Sequence, residues 1–113
     1  MMIYCAHAYG GNPENKRDAE IMIKSLQKQD AENCYVSPIH CFGFLYEDVS
    51  YDEGMELCYD LLTVCDKLLV LSGPSEGVLR EVRMAHQLGM EVEYYGTEAI
   101  RTKNTMDGRK SCR

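Results

Sequence analysis

The chain has 113 residues, 45% of them hydrophobic, with 9 Gly, 3 Pro and no Trp; that suits one compact domain able to bury about two thirds of its unfolded surface without a metal or disulfide staple. No apolar stretch approaches the roughly 20 residues that span a bilayer, and Met1-Met2-Ile3-Tyr4-Cys5 offers neither the basic nor the long apolar region of a secretory signal, so the expectation is a cytoplasmic protein with no membrane partner. The net charge is −6, but Arg101, Lys103, Arg109, Lys110 and Arg113 against Glu98 and Asp107 put +3 on residues 97–113 and leave −9 on residues 1–96. An acidic body of that kind repels a duplex phosphate backbone.

Ile3 to Ala8 is an apolar run that ends at Gly10-Gly11, the pattern of a buried strand feeding a tight turn. Asn12-Pro13-Glu14 reads as N-cap, proline at the first helical position and an acidic first turn. In the helix that follows, Ala19, Met22, Ile23 and Leu26 form one apolar stripe, with Lys16, Arg17, Glu20 and Lys24 facing outward. Cys34 to Ile39 is the next strand candidate, its end placed by Pro38. His40 to Val49 is aromatic-rich without a clean period, which predicts a loop folded over ligand or core. Ser50 and Glu53 form a capping box opening a helix that buries Leu57, Cys58, Leu61, Leu62 and Cys65. Lys67 to Ser72 is almost wholly apolar, as strands covered on both faces are. Gly73 to Gly77 then turns into a helix with Val78, Val82, Ala85 and Leu88 as its buried stripe, and Val92 and Tyr94 mark a last strand. Alternating strands and helices predict an α/β, Rossmann-like or flavodoxin-like three-layer sandwich with a mostly parallel sheet of four or five strands. The domain takes residues 1–96, and residues 97–113 read as a solvated, frayed basic tail.

The six cysteines, at positions 5, 34, 41, 58, 65 and 112, show no C-x-x-C and no zinc-knuckle spacing. They read as small buried hydrophobes in a reducing compartment, with Cys112 exposed. No metal and no redox cofactor is implied.

Ligands of open α/β sheets bind outside the carboxyl ends of the strands. Two loops there stand out. In Ala6-His7-Ala8-Tyr9-Gly10-Gly11 the small residues let backbone approach a ligand, although the pattern is not a dinucleotide fingerprint and the glycine pair reads equally as a turn. In Ser75-x-Gly77-x-x-x-Glu81, Ser75 at a helix N-terminus reads as an N-cap or as a hydroxyl for an anion such as a 5′-phosphate. Glu81 lies three residues after Val78 and four before Ala85, beside the buried stripe, as a carboxylate nucleophile kept ionised by the helix start or as a rim residue paired with Arg80 or Arg83. Phe42, Phe44 and Tyr46 are candidates to stack on a base, with His40 at its edge; core plugs are the alternative.

Ile3-Tyr4-Cys5-Ala6, Cys65-Asp66-Lys67-Leu68-Leu69-Val70 and Ser75-Glu76-Gly77-Val78-Leu79-Arg80-Glu81 followed by Ala85 resemble the nucleoside 2-deoxyribosyltransferase-like superfamily, which includes 2′-deoxynucleoside 5′-phosphate N-hydrolases. The resemblance covers residues 2–95. It implies cleavage or transfer at the N-glycosidic bond of a nucleoside or its 5′-monophosphate, with Glu81 as nucleophile, Tyr4 orienting it and Ser75 at the 5′-phosphate. From their places in the loops, Gly77, Ala6, His7, Gly10, Gly11, His40 and Phe42 are the further substrate-binding candidates. It also implies a homodimer or higher assembly in which a neighbour closes the pocket. One position departs: Cys58 stands where the family carries an Asp that contacts the sugar or acts as general acid, and Asp60 lies about 200° around the helix from it. The replacement acid would come from His7, His40 or Asp48; otherwise the chain is a nucleotide or nucleotide-sugar binding module without turnover. Cleavage of a dinucleotide such as NAD is a third reading.

Overall fold

The computed structural model describes residues 1–95. Strands β1 (Met2–Ala6), β2 (Cys34–Val36), β3 (Lys67–Val70) and β4 (Glu91–Tyr94) alternate with helices α1 (Pro13–Gln29), α2 (Pro38–Phe42), α3 (Tyr51–Thr63) and α4 (Glu76–Gln87). The strands form one sheet in the order β2-β1-β3-β4, every pair parallel. This is the flavodoxin-like order, whose reversal lies between β1 and β3. The tail from residue 97 and Cys112 lie outside the described residues. Among the described residues no helix is long and apolar enough to cross a membrane.

Alternation along β1 and β3 divides the core in two. Tyr4, Ala6, Leu68 and Val70 face α3 and α4, where they meet Cys58, Leu62, Val78 and Ala85. Ile3, Cys5, Leu69 and Leu71 face the other way onto Met22, Ile23 and Leu26 of α1. Both faces are therefore covered, which is why these strands read as nearly continuous apolar runs.

The caps follow the sequence. The Asn12 side chain accepts from the Glu14 amide ahead of Pro13, and Ser50 and Glu53 close a reciprocal capping box on α3. Gly10 and Gly11 both take positive φ, 59° and 75°, a pair of left-handed residues that only glycine adopts without strain. They turn the chain from β1 into α1.

Four expectations are corrected. β2 stops at Val36, and the predicted irregular loop begins as α2, capped by Ser37 with Pro38 at its start, then a 3-10 turn at Gly43–Leu45. Ser37-Pro38 thus acts as a helix start, as Asn12-Pro13 does. Leu88 is exposed: it is the C-cap of α4, whose last helical residue is Gln87. Cys34 and Cys41 are exposed while Cys5, Cys58 and Cys65 are buried.

Candidate functional site

Tyr4 occupies the middle of β1 and points into the α3–α4 layer, while Glu81 lies in the second turn of α4 on its buried stripe. The Tyr4 phenol donates to Glu81 Oε2. Tyr4 is fully buried and Glu81 is 5% exposed, so each supplies the partner that the other would otherwise lack in an apolar core. Among the described residues no lysine or arginine is paired with Glu81: Arg80 Nη1 lies 3.3 Å from Asp52, its Nη2 lies 3.2 Å from Glu76, and its guanidinium stacks over the Tyr51 ring.

Without a cation, burial dominates. It pushes the Glu81 carboxyl up to about 7, with the Tyr4 hydrogen bond pulling in the opposite direction. The expectation that the helix start holds this group ionised is thus corrected; the helix field falls off within the first turn, and Glu81 sits beyond it. Tyr4 is driven strongly upward, first by burial and then by the Glu81 charge, so it stays a phenol and a donor.

Cys58 completes the cluster from α3. Burial and then the Glu81 charge push its thiol up to about 11, leaving it neutral at ordinary pH. It also lines a cavity of about 270 Å³ walled by Tyr9, Phe42, Leu45, Tyr46, Tyr51 and Met55 among others. Cys58 is therefore the point where the cavity and the Tyr4–Glu81 pair meet.

The N-terminus of α4 lies on the far side of Tyr51. Ser75 is its N-cap and accepts from the Val78 amide at 3.2 Å. A Cβ on Gly77 would come within 3.3 Å of the Tyr51 hydroxyl and 3.9 Å of Met55 Sδ. Tyr51 is thus a wall of the cavity and a roof over Gly77, a role its sequence position after the capping serine did not announce.

The remaining expected residues divide. Phe42 lines the cavity and packs against the core. Phe44 is 79% exposed. Tyr46 is a cavity wall whose ring meets Tyr9 edge-on and lies 3.0 Å from where a Gly11 Cβ would stand. Gly10 is exposed in the turn. Ala6 is fully buried in the core, its carbonyl accepting from the Leu71 amide. His7 is buried with Nε2 2.9 Å from Ser37 Oγ, and His40 lies 2.8 Å from the same oxygen; neither lines the cavity. Asp48 and Asp60 are exposed. Ser72 Oγ accepts from the Ala8 amide at 2.9 Å, tying the loops after β1 and β3 together at the reversal of strand order.

Residues 1–94 match the family model described as "Domain of unknown function (DUF4406)", and the chain belongs to that family. That description names no activity. No curated protein matches the chain.

Proposed function

We propose that this protein cleaves or transfers at the N-glycosidic bond of a nucleoside or its 5′-monophosphate, with Glu81 as the nucleophile. The observation that carries the reading is a carboxyl buried with no countercharge among the described residues, held by a phenol from the central strand and reached from the apolar cavity only through Cys58, which lines that cavity. Burying such a group disfavours its ionised form, so a purely structural role would be better served by a neutral side chain.

In this mechanism an ionised Glu81 oxygen attacks the anomeric carbon. A carbon–oxygen ester bond forms as the carbon–nitrogen bond breaks, the electron pair leaves with the base, and the base takes up a proton from solvent. Water or a second base then displaces Glu81 and restores the carboxylate. Tyr4 fixes the attacking group and shares its charge. Cavity aromatics such as Phe42 and Tyr46 cover a flat base, and Ser75 with Gly77 takes the 5′-phosphate at the start of α4. The reading carries an assembly with a second copy over the cavity mouth, measurable by analytical ultracentrifugation.

The second reading is a binding module that keeps the pocket without turnover. Cys58 favours it, because a neutral thiol stands where the resembled enzymes place a carboxylic acid.

Deoxynucleosides and their 5′-monophosphates are incubated with wild type and Glu81→Ala, and free base is followed by chromatography. The expected result is base release that falls by at least about 10³-fold in the variant, with the wild-type kcat/KM rising as pH passes through about 7 and Glu81 ionises. No release by folded wild-type protein would shift the assignment to the binding module.

A further inference from the structure

A second polar chain runs from the surface into the carboxyl edge of the sheet, and the Glu81 chemistry does not use it. Glu20 Oε2 on α1 lies 2.8 Å from His40 Nε2. His40 Nδ1 lies 2.8 Å from Ser37 Oγ, and that oxygen lies 2.9 Å from His7 Nε2. His7 Nδ1 lies 3.1 Å from the Ala8 carbonyl. Three contacts thus join a carboxylate, two imidazoles and a hydroxyl, and a fourth ends the chain on a backbone carbonyl, with Ser37 and His7 both buried.

Counting hydrogens fixes the state in which every contact is a bond. The Ala8 carbonyl and the Glu20 carboxylate only accept, so His7 Nδ1 and His40 Nε2 both carry hydrogen. Ser37 has one hydrogen for two ring nitrogens, so one imidazole must donate to it and one must accept from it. Three ring hydrogens across two imidazoles make one imidazolium, and with ionised Glu20 the chain is neutral overall. Burial and the facing His40 ring disfavour a charge on His7, with the Ala8 carbonyl pulling the other way, while the Glu20 carboxylate stands directly at His40, with the opposing cations Lys16 and Lys24 on the same helix α1. From the β3 side, the Ser72 hydroxyl meets this loop by accepting from the Ala8 amide.

We infer that Glu20, His40, Ser37 and His7 form a proton relay, an acid–base device with its open end at His40 and its inner end at His7. Transfer inward breaks the Nδ1–H bond of His40 and forms an O–H bond on Ser37, while the original Ser37 O–H bond breaks and an N–H bond forms at His7 Nε2. The positive charge moves from His40 to His7, and Ser37 ends with its hydrogen turned toward His40. The inner end lies two residues before Tyr9, a wall of the cavity.

The test is nitrogen NMR of histidine-labelled full-length protein, titrated between about pH 5 and 8, with the exposed His86 as internal reference. The relay predicts that the His7 and His40 rings respond in one common step. It also predicts that Ser37→Ala splits this into two steps and that Ser37→Thr, which keeps the hydroxyl, restores it. Glu20→Gln, at a site outside the core, moves the common step of both rings to lower pH and leaves His86 in place. Separate steps in wild type, a common step that survives in folded Ser37→Ala, or a Glu20→Gln effect confined to His40 would each overturn the relay. If Ser37→Ala does not fold, Glu20→Gln decides alone, by whether His7 moves with His40.

Discussion

The Tyr4–Glu81 pair and the Glu20–His40–Ser37–His7 chain both bury ionisable groups around one sheet, yet they handle charge in opposite ways. The chain sets its carboxylate against an imidazole at hydrogen-bond distance and opens to solvent at its outer end. The pair has one donor, no cation, and closes within the core. A charge-balanced network is cheap to keep, whereas a lone buried carboxyl costs stability whenever it ionises. That asymmetry is why we propose Glu81, and not the chain, for the chemical step.

After the loss expected of Glu81→Ala, the largest change comes from placing an acid beside the pair. Cys58→Asp should raise the rate of base release by about 10²-fold or more, the usual contribution of a placed general acid, and should lower the melting temperature by adding a second buried carboxyl. An unchanged rate in folded protein would mean that Cys58 is not the missing acid position.

Next is the pH dependence of stability. The folded Glu81 carboxyl binds its proton more tightly than the unfolded one, so the native state holds more protons between pH 4.5, the ordinary carboxylate value, and about 7. Stability therefore falls as pH rises through that window and is level on either side, by on the order of 3 kcal/mol in total from this group. Glu81→Gln should remove this fall, which urea unfolding at pH 5 and pH 8 measures. A profile unchanged by the substitution would place the carboxyl in a better-solvated setting than its burial indicates.

Tyr4→Phe removes the donor and leaves Glu81 without its hydrogen bond. The expected loss is about 1–3 kcal/mol, greater at pH 8 than at pH 5, because the ionised acceptor needs the donor more than the acid does. An equal loss at both values would show that Tyr4 contributes packing alone.

The smallest effect belongs to the chain. Glu20 lies outside the core and its partner opens to solvent, so Glu20→Gln should leave the melting temperature within error of wild type. A marked drop would erase the contrast between the two regions.

The sheet was readable because β1 and β3 are apolar on both faces, and the helices because Asn12-Pro13 and Ser50-x-x-Glu53 are local signals whose chemistry does not depend on the rest of the fold. α2 was not readable from periodicity, since five residues make little more than one turn; Ser37-Pro38 was its only cue, and it also reads as a strand end. Glu81 stood out because its spacing from Val78 and Ala85 puts a carboxylate on a buried face. The upward push on its carboxyl was not legible, since it comes from burial, which depends on what the rest of the fold brings over Glu81 as well as on its place beyond the first turn of α4. The contact of Glu20 with His40 had no signature at all: it joins an outward-facing residue of α1 to a helix the pattern did not reveal.

The most direct measurement is of the covalent step. Protein mixed with a deoxynucleoside substrate, quenched within a turnover and digested, should yield a peptide carrying one deoxyribosyl group as an ester on Glu81, and Glu81→Gln should yield none. Base released at the wild-type rate with the label on another residue, or undiminished release by Glu81→Gln, would contradict the assignment of Glu81 as nucleophile.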